Sequence, residues 1–262
     1  MSTQVHATPT KKFFVSSLTR DIEIKDAILD LLDNCIDGVV RSKDIRTLDG
    51  EHIYEGFQAD IKLNANEFEI HDNCGGIPID IATNEAFKFG RSNPKRDAEL
   101  ETVGMYGIGM KRAVFKMGSH IIVESQNKGT RYQVEITPDW LANDDVWMLT
   151  LEEQDSLGPK KNGTSIIVNK LHEDISDSFS ERRGFAKDLR NEIGQIFALI
   201  IKKGFKVTVN GIIVTPVSFD LLQTDDINAQ ESSIKTYQLK SQYNKVNIAI
   251  AIGFYRPFGF DR

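Results

Sequence analysis

The sequence is poor in the residues that build disulfide and zinc scaffolds. It holds two cysteines, Cys35 and Cys74, too few for a disulfide framework and without C-x-x-C spacing, while its five histidines are scattered. Neither a structural zinc site nor a stapled fold is indicated. Long apolar runs are missing too. The longest, IFALII at Ile196 to Ile201, falls far short of the roughly 20 residues needed to cross a bilayer. Met1 to Lys12 is too polar for a secretory signal, so the expected location is cytoplasmic. Positive charge is not in excess: 32 Lys and Arg stand against 38 Asp and Glu, a net charge of -6. That gives no general pull toward nucleic acid, and any such contact is expected through a local patch or through regions outside this chain. Internal repeats and low-complexity linkers are absent as well. What is there, 262 residues with 40% hydrophobic and 27% charged, is an ordinary globular composition with room for one large domain or one and a fraction.

Periodicity predicts alternating helices and strands. A helix is expected over residues 21–40, then strands at Asp60 to Leu63 and Glu67 to His71. The stretch from Ala86 to Val103 is polar and charged, with GRSNPKRD at its centre, a length of loop that is usually functional or disordered. A short helix opens at Met110, followed by strands at Ser119 to Ser125, Thr130 to Thr137, Val146 to Glu152 and Thr164 to Asn169. A long amphipathic helix is predicted over Phe179 to Lys203. After it, Asn210-Gly211 in KVTVNGIIVTP is the signature of a hairpin with a type I′ turn, and KVNIAIAIGFY alternates as a last strand.

The 21–40 helix carries an unusual load. Ile24, Ala27, Ile28, Leu31, Leu32, Cys35 and Ile36 share one arc, and Asp30, Asn34 and Asp37 line up opposite. Such a row is ordinarily a solvated face. Asn34, however, lies beside the apolar arc, where a polar side chain needs a partner such as a metal, a ligand or a carbonyl. Oxygen donors at Asn34, with Asp30 one turn earlier near a water, would suit Mg²⁺.

Two glycine-rich boxes follow. EIHDNCGGIP sets Asp72 at a strand end before Gly75 and Gly76. A plain turn explains this, and so does a carboxylate accepting from an exocyclic amine, with Gly76 keeping the adjoining space empty. GMYGIGMKRA fails as a Walker loop, which needs Lys at 110 and Ser or Thr at 111, and as a dinucleotide fingerprint, which needs Gly where Arg112 stands. It remains a Gly104-x-x-Gly107-x-Gly109 turn into a helix. Such a turn serves as a hinge or offers free N–H groups to a phosphate chain, with Lys111 nearby. A Gly163-Thr164 pair opens a strand.

In this order, DLLDN, D-x-x-G-G, GxxGxG and GT, the boxes resemble the GHKL superfamily of ATPases: gyrase B, the large heat-shock chaperone, histidine kinases and MutL. The microrchidia ATPases are also similar, and the MutL and microrchidia types are nearest. The resemblance covers roughly residues 14–215. It implies an α/β (α+β) Bergerat-fold sandwich, a mixed, mostly antiparallel sheet with helices on one face, binding ATP with Mg²⁺. It implies Asn34 as the metal ligand, Asp72 as the adenine-recognising aspartate, and Gly104, Gly107, Gly109 and Lys111 as the phosphate box. Thr164 would stand behind Asp72, and Asp37, Gly76, Ile77, Tyr106, Ile108 and Met110 would complete the site. Residues 86–103 would form a lid; Arg91, Lys95 and Arg96 there read as phosphate contacts or as solvated loop charges. Asp30 occupies the catalytic position, where hydrolysing members carry a glutamate four residues before the asparagine and histidine kinases an asparagine. Cys74 stands where D-x-G-x-G has its first glycine.

The resemblance implies a nucleotide-driven homodimerisation switch that hydrolyses ATP. The alternatives are a non-catalytic ATP sensor and a histidine-kinase-type phosphotransfer domain. Residues 1–20 read as a candidate dimer strap, 21–215 as the ATP-binding domain, and 216–262 as the beginning of a transducer-like domain or as closing strands. In the strap, Phe13, Phe14, Val15 and Leu18 lack local chain to bury them, so they pack on this domain or on a neighbour.

Overall fold

The computed structural model describes residues 9–42, 52–88, 108–217, 235–240 and 247–252. The chain divides into two compact units, residues 1–216 and 217–262. In the first, Thr10 caps helix α1 (Lys11–Thr19) by accepting from the Phe13 N–H. Helix α2 (Ile24–Ser42) follows, and its apolar arc of Ala27, Ile28, Leu31, Leu32, Cys35 and Ile36 is buried as the periodicity requires.

Among the described residues, eight strands form one sheet: β1 (Gln58–Leu63), β2 (Glu67–Asp72), β3 (Gly118–Asn127), β4 (Thr130–Ile136), β5 (Leu151–Gln154), β6 (Gly163–Leu171), β7 (Lys206–Val209) and β8 (Ile212–Ile213). Their order is β5-β4-β3-β6-β2-β1-β7-β8, and among the described pairs only β1 with β7 is parallel. Period-two alternation sets its two faces. Ala59, Ile61, Leu63, Phe68, Ile70, Ile121, Val123 and Val168 join the core with α2 and α4 (Gly109–Met117). The alternate positions carry polar pairs such as Lys62–Glu69, His120–Glu135 and Arg131–Glu124. Helix α3 (Ile79–Ile81) runs into a π turn at Ala82–Ala86, and α5 (Pro138–Ala142) lies between β4 and β5. The second unit, among its described residues, is an antiparallel pair, β9 (Lys235–Lys240) with β10 (Asn247–Ile252).

Three sequence expectations change. The helix expected over Phe179 to Lys203 is broken into α6 (Glu173–Phe179), a 3₁₀ turn, α7 (Phe185–Ile196) and α8 (Ala198–Lys202). Ser180 is extended and Gly184 is left-handed at φ 69°, which brings the Phe179 and Phe185 rings to 5.2 Å. A straight helix would place residues six apart on different faces. The strand expected at Val146 to Glu152 begins only at Leu151, because the preceding loop is committed to Lys11. Phe14, Val15 and Leu18 are half-buried on their own domain through α1, while Phe13 stays 63% exposed. The hairpin turn forms as expected, with Asn210 and Gly211 at φ 50° and 75°.

Candidate nucleotide site

The site assembles where α2, the end of β2, the start of β6 and the first turn of α4 meet. Asp72 closes β2 and is buried, its Oδ1 accepting the Cys74 N–H at 2.6 Å. Burial pushes its carboxyl above the usual carboxylate range, against the Cys74 amide, His71, the Cys35 thiol and the Thr164 amide, which favour the ionised form. Thr164 is buried at the start of β6 and faces Ser125 of β3 in register, with the two hydroxyls 3.1 Å apart.

The loop after Asp72 is pinned from several sides. Ser125 Oγ accepts the Ile77 N–H at 2.8 Å, Tyr132 Oη donates to the Ile77 carbonyl at 3.0 Å, and Asn127 donates to the Gly75 carbonyl at 2.7 Å. Gly76 has φ 73°, and a Cβ on it would fall 2.0 Å from the Gln126 carbonyl, so no side chain fits there. The approach of α2 to this loop is as close: a Cβ on Gly38 would meet the Cys74 carbonyl at 2.7 Å. Cys74, standing in place of a glycine, turns its side chain into the core, with its thiol 3.7 Å from the Gln58 carbonyl. Its backbone still caps Asp72.

On α2, Asn34 Nδ2 donates to the Asp30 carbonyl at 2.8 Å, which leaves Oδ1 as an acceptor. That oxygen is of the kind a hard cation such as Mg²⁺ takes, while the described residues hold no group of three or more His, Cys, Asp or Glu that could bind a metal ion. The expected solvated row is in fact graded: Asp30 and Asn34 are half-buried and Asp37 is buried. Burial raises the Asp30 carboxyl above its ordinary range, Arg112 opposes this, and Asp26 adds to it. Asp33, on the same helix, is raised to about 6 by burial, then by Asp30 and Asp37.

Helix α4 begins at Gly109 with no side chain capping it, and an added Gly109 Cβ would lie 3.8 Å from Asp30 Oδ2. The uncapped helix start therefore faces the catalytic candidate. An uncapped N-terminus suits a phosphate. Ile108 and Met110 flank it, half-buried. Lys111, the expected phosphate-side cation, is buried, brought down to about 8 by that burial, and its ammonium donates to the Ala86 carbonyl at 2.7 Å. Gly104, Tyr106, Gly107 and the lid residues 89–103, with Arg91, Lys95 and Arg96, lie outside the described residues. Ser125, Asn127 and Tyr132 escape the sequence reading, because only strand register brings them to the Asp72 loop.

A model of the histidine kinase-, DNA gyrase B- and HSP90-like ATPases matches residues 22–164, more than half of the chain. No curated protein matches it. The matched region carries the DLLDN helix, the Asp72 loop, the glycine box and Thr164, and the mixed sheet with its packed helices is the Bergerat fold that those boxes require. The chain therefore belongs to the histidine kinase-, DNA gyrase B- and HSP90-like ATPases, the GHKL type whose domain binds ATP.

Proposed function

We propose that this chain is a Mg²⁺-dependent ATPase in which bound nucleotide drives two copies together and hydrolysis releases them. The observation that carries the reading is that the Asp30 carboxylate faces the uncapped start of α4, with Asn34 one turn on from Asp30 along α2 and a buried Asp72 at the end of β2. Asp72 accepts from the adenine exocyclic amine, from its buried place at the end of β2. Asn34 Oδ1 would hold Mg²⁺, which when bound draws charge from the phosphate oxygens. In hydrolysis Asp30 takes a proton from the attacking water. The water oxygen bonds to the γ-phosphorus, the bond from that phosphorus to the β,γ-bridging oxygen breaks, and ADP leaves with the electron pair.

Asp30 is one methylene shorter than glutamate, and this favours a slow enzyme or, at the limit, a sensor. Phosphate release by the parent and by Asp30→Asn separates these. The variant is expected to bind ATP and release no phosphate; hydrolysis at the parent rate would make Asp30 a bystander. Adenine recognition is tested by calorimetry. A charge-assisted hydrogen bond contributes about 1.5–3 kcal/mol, so Asp72→Asn should weaken ATP by at least about tenfold. Equal affinity of the parent for ATP and GTP would remove the role of Asp72.

A further inference from the structure

Arg112 has no role in the reading above, yet it holds a buried polar atom without a partner. Its Nε is shut away from solvent and, among the described residues, no acceptor meets it, an expensive arrangement for a guanidinium donor. The residue sits three places after Gly109 on α4, so the two share a helix face. Gly109 marks where that face meets Asp30, 3.8 Å from Oδ2 to the site of an added Cβ. The charges of Arg112 and Asp30 act on each other across this contact. The Asp30 carboxylate, for its part, enters no ion pair among the described residues. A half-buried carboxylate and an arginine with an unpartnered Nε thus stand on α2 and α4, beside the uncapped helix start.

We propose that Arg112 is a positioning residue for hydrolysis: its guanidinium engages the Asp30 carboxylate when nucleotide is bound and aims it at the attacking water. The inference rests on the reading of Asp30 as the base. It also explains how a side chain one methylene short is kept in a working orientation, because a carboxylate steered from α4 need not rely on its own length. Arginine suits the task, since its planar fork fixes a carboxylate in direction as well as distance.

The test is single-turnover phosphate release combined with ATP affinity by calorimetry, on the parent, Arg112→Met, Arg112→Lys, Asp30→Asn and the Arg112→Met/Asp30→Asn double variant. Arg112→Met should lower the turnover rate by about tenfold or more, a fraction of the full worth of a general base, with ATP affinity within about twofold of the parent. Arg112→Lys should recover part of the rate, and in the Asp30→Asn background Arg112→Met should change nothing further. Parental turnover in Arg112→Met, with Asp30→Asn inactive, overturns this inference and leaves the base intact. Independent losses in the double variant, or a fall in ATP affinity matching the fall in rate, assign Arg112 to phosphate binding or to the scaffold and overturn it as well. Parental hydrolysis by Asp30→Asn, or none by the parent, removes the base reading and this inference with it.

Discussion

Asp33 shows how the acids of α2 bear on stability as well as on chemistry. Burial first, then Asp30 and Asp37, raise its folded-state pKa to about 6, above the roughly 3.9 of an unfolded aspartate. An acid raised on folding is a cost to the folded state at high pH. The cost is absent below about pH 4, grows as pH rises toward 6 and is complete above it. Asp33→Asn should therefore raise the melting temperature at pH 7.5 and change it much less at pH 4.5. Equal shifts at both pH values would show that Asp33 is relaxed into solvent. At this scale the sequence was legible where a box gives a residue a fixed neighbour in the chain, as Gly76 follows Asp72 and Thr164 follows Gly163. It was silent on Ser125 and Tyr132, which reach Ile77 only through pairing across β3, β4 and β6. Nor does the position of Lys111 beside the glycine box reveal that its ammonium donates to the Ala86 carbonyl.

Helix α1 is an element that hydrophobic pattern alone did not place, and a charge explains its seat. Lys11 is buried, with its ammonium donating to the carbonyls of Trp140 at 2.6 Å, Asn143 at 2.5 Å and Val146, and it lies 3.6 Å from the centre of the Trp140 ring. Its backbone N–H adds a bond to Asp144 at 2.6 Å. Burial lowers the pKa of this lysine and Asp144 counters the shift, so the cage of carbonyls and indoles is what keeps an ammonium there. Lys11→Met would keep the length and remove the donor from three carbonyls. An unsatisfied buried acceptor costs about 1–3 kcal/mol, so amide exchange across residues 12–19 should accelerate by roughly tenfold or more while the core strands stay protected. Unchanged exchange would mean that Val15 and its apolar neighbours hold the helix without the cage. The same loop explains the displaced start of β5: its Asn143 and Val146 carbonyls accept from Lys11 and its Met148 carbonyl from the Trp140 ring N–H, so they are not free to pair as a strand. In the broken 179–203 helix the amphipathic period continues through Gly184, while the left-handed backbone there and the packing of Phe179 on Phe185 accompany the break.

At the scale of the molecule, the mixed sheet followed from the resemblance, whereas strand order and the parallel β1–β7 pair rest on contacts between segments nearly 150 residues apart, which local periodicity does not encode. The proposed dimer would likewise be a property of the whole. Phe13 is 63% exposed on α1 and Met148 81% exposed beside Trp147, and the two belong to one neighbourhood because Phe14 stacks edge-on against Trp147 at 6.3 Å. Burying both side chains on each of two copies contributes about 1.5–3 kcal/mol per side chain. Association costs an estimated 4–15 kcal/mol, so such a contact alone is marginal and needs the added ordering that nucleotide supplies. A dimer poised in this way should form only with ATP bound. Light scattering with a non-hydrolysable ATP analogue and Mg²⁺ should show the parent moving from monomer toward dimer, and the Phe13→Asp/Met148→Asp variant remaining monomeric with ATP affinity unchanged. A variant that dimerises like the parent would place the interface elsewhere, and a parent that stays monomeric with nucleotide bound would remove the switch and leave a domain that binds ATP alone.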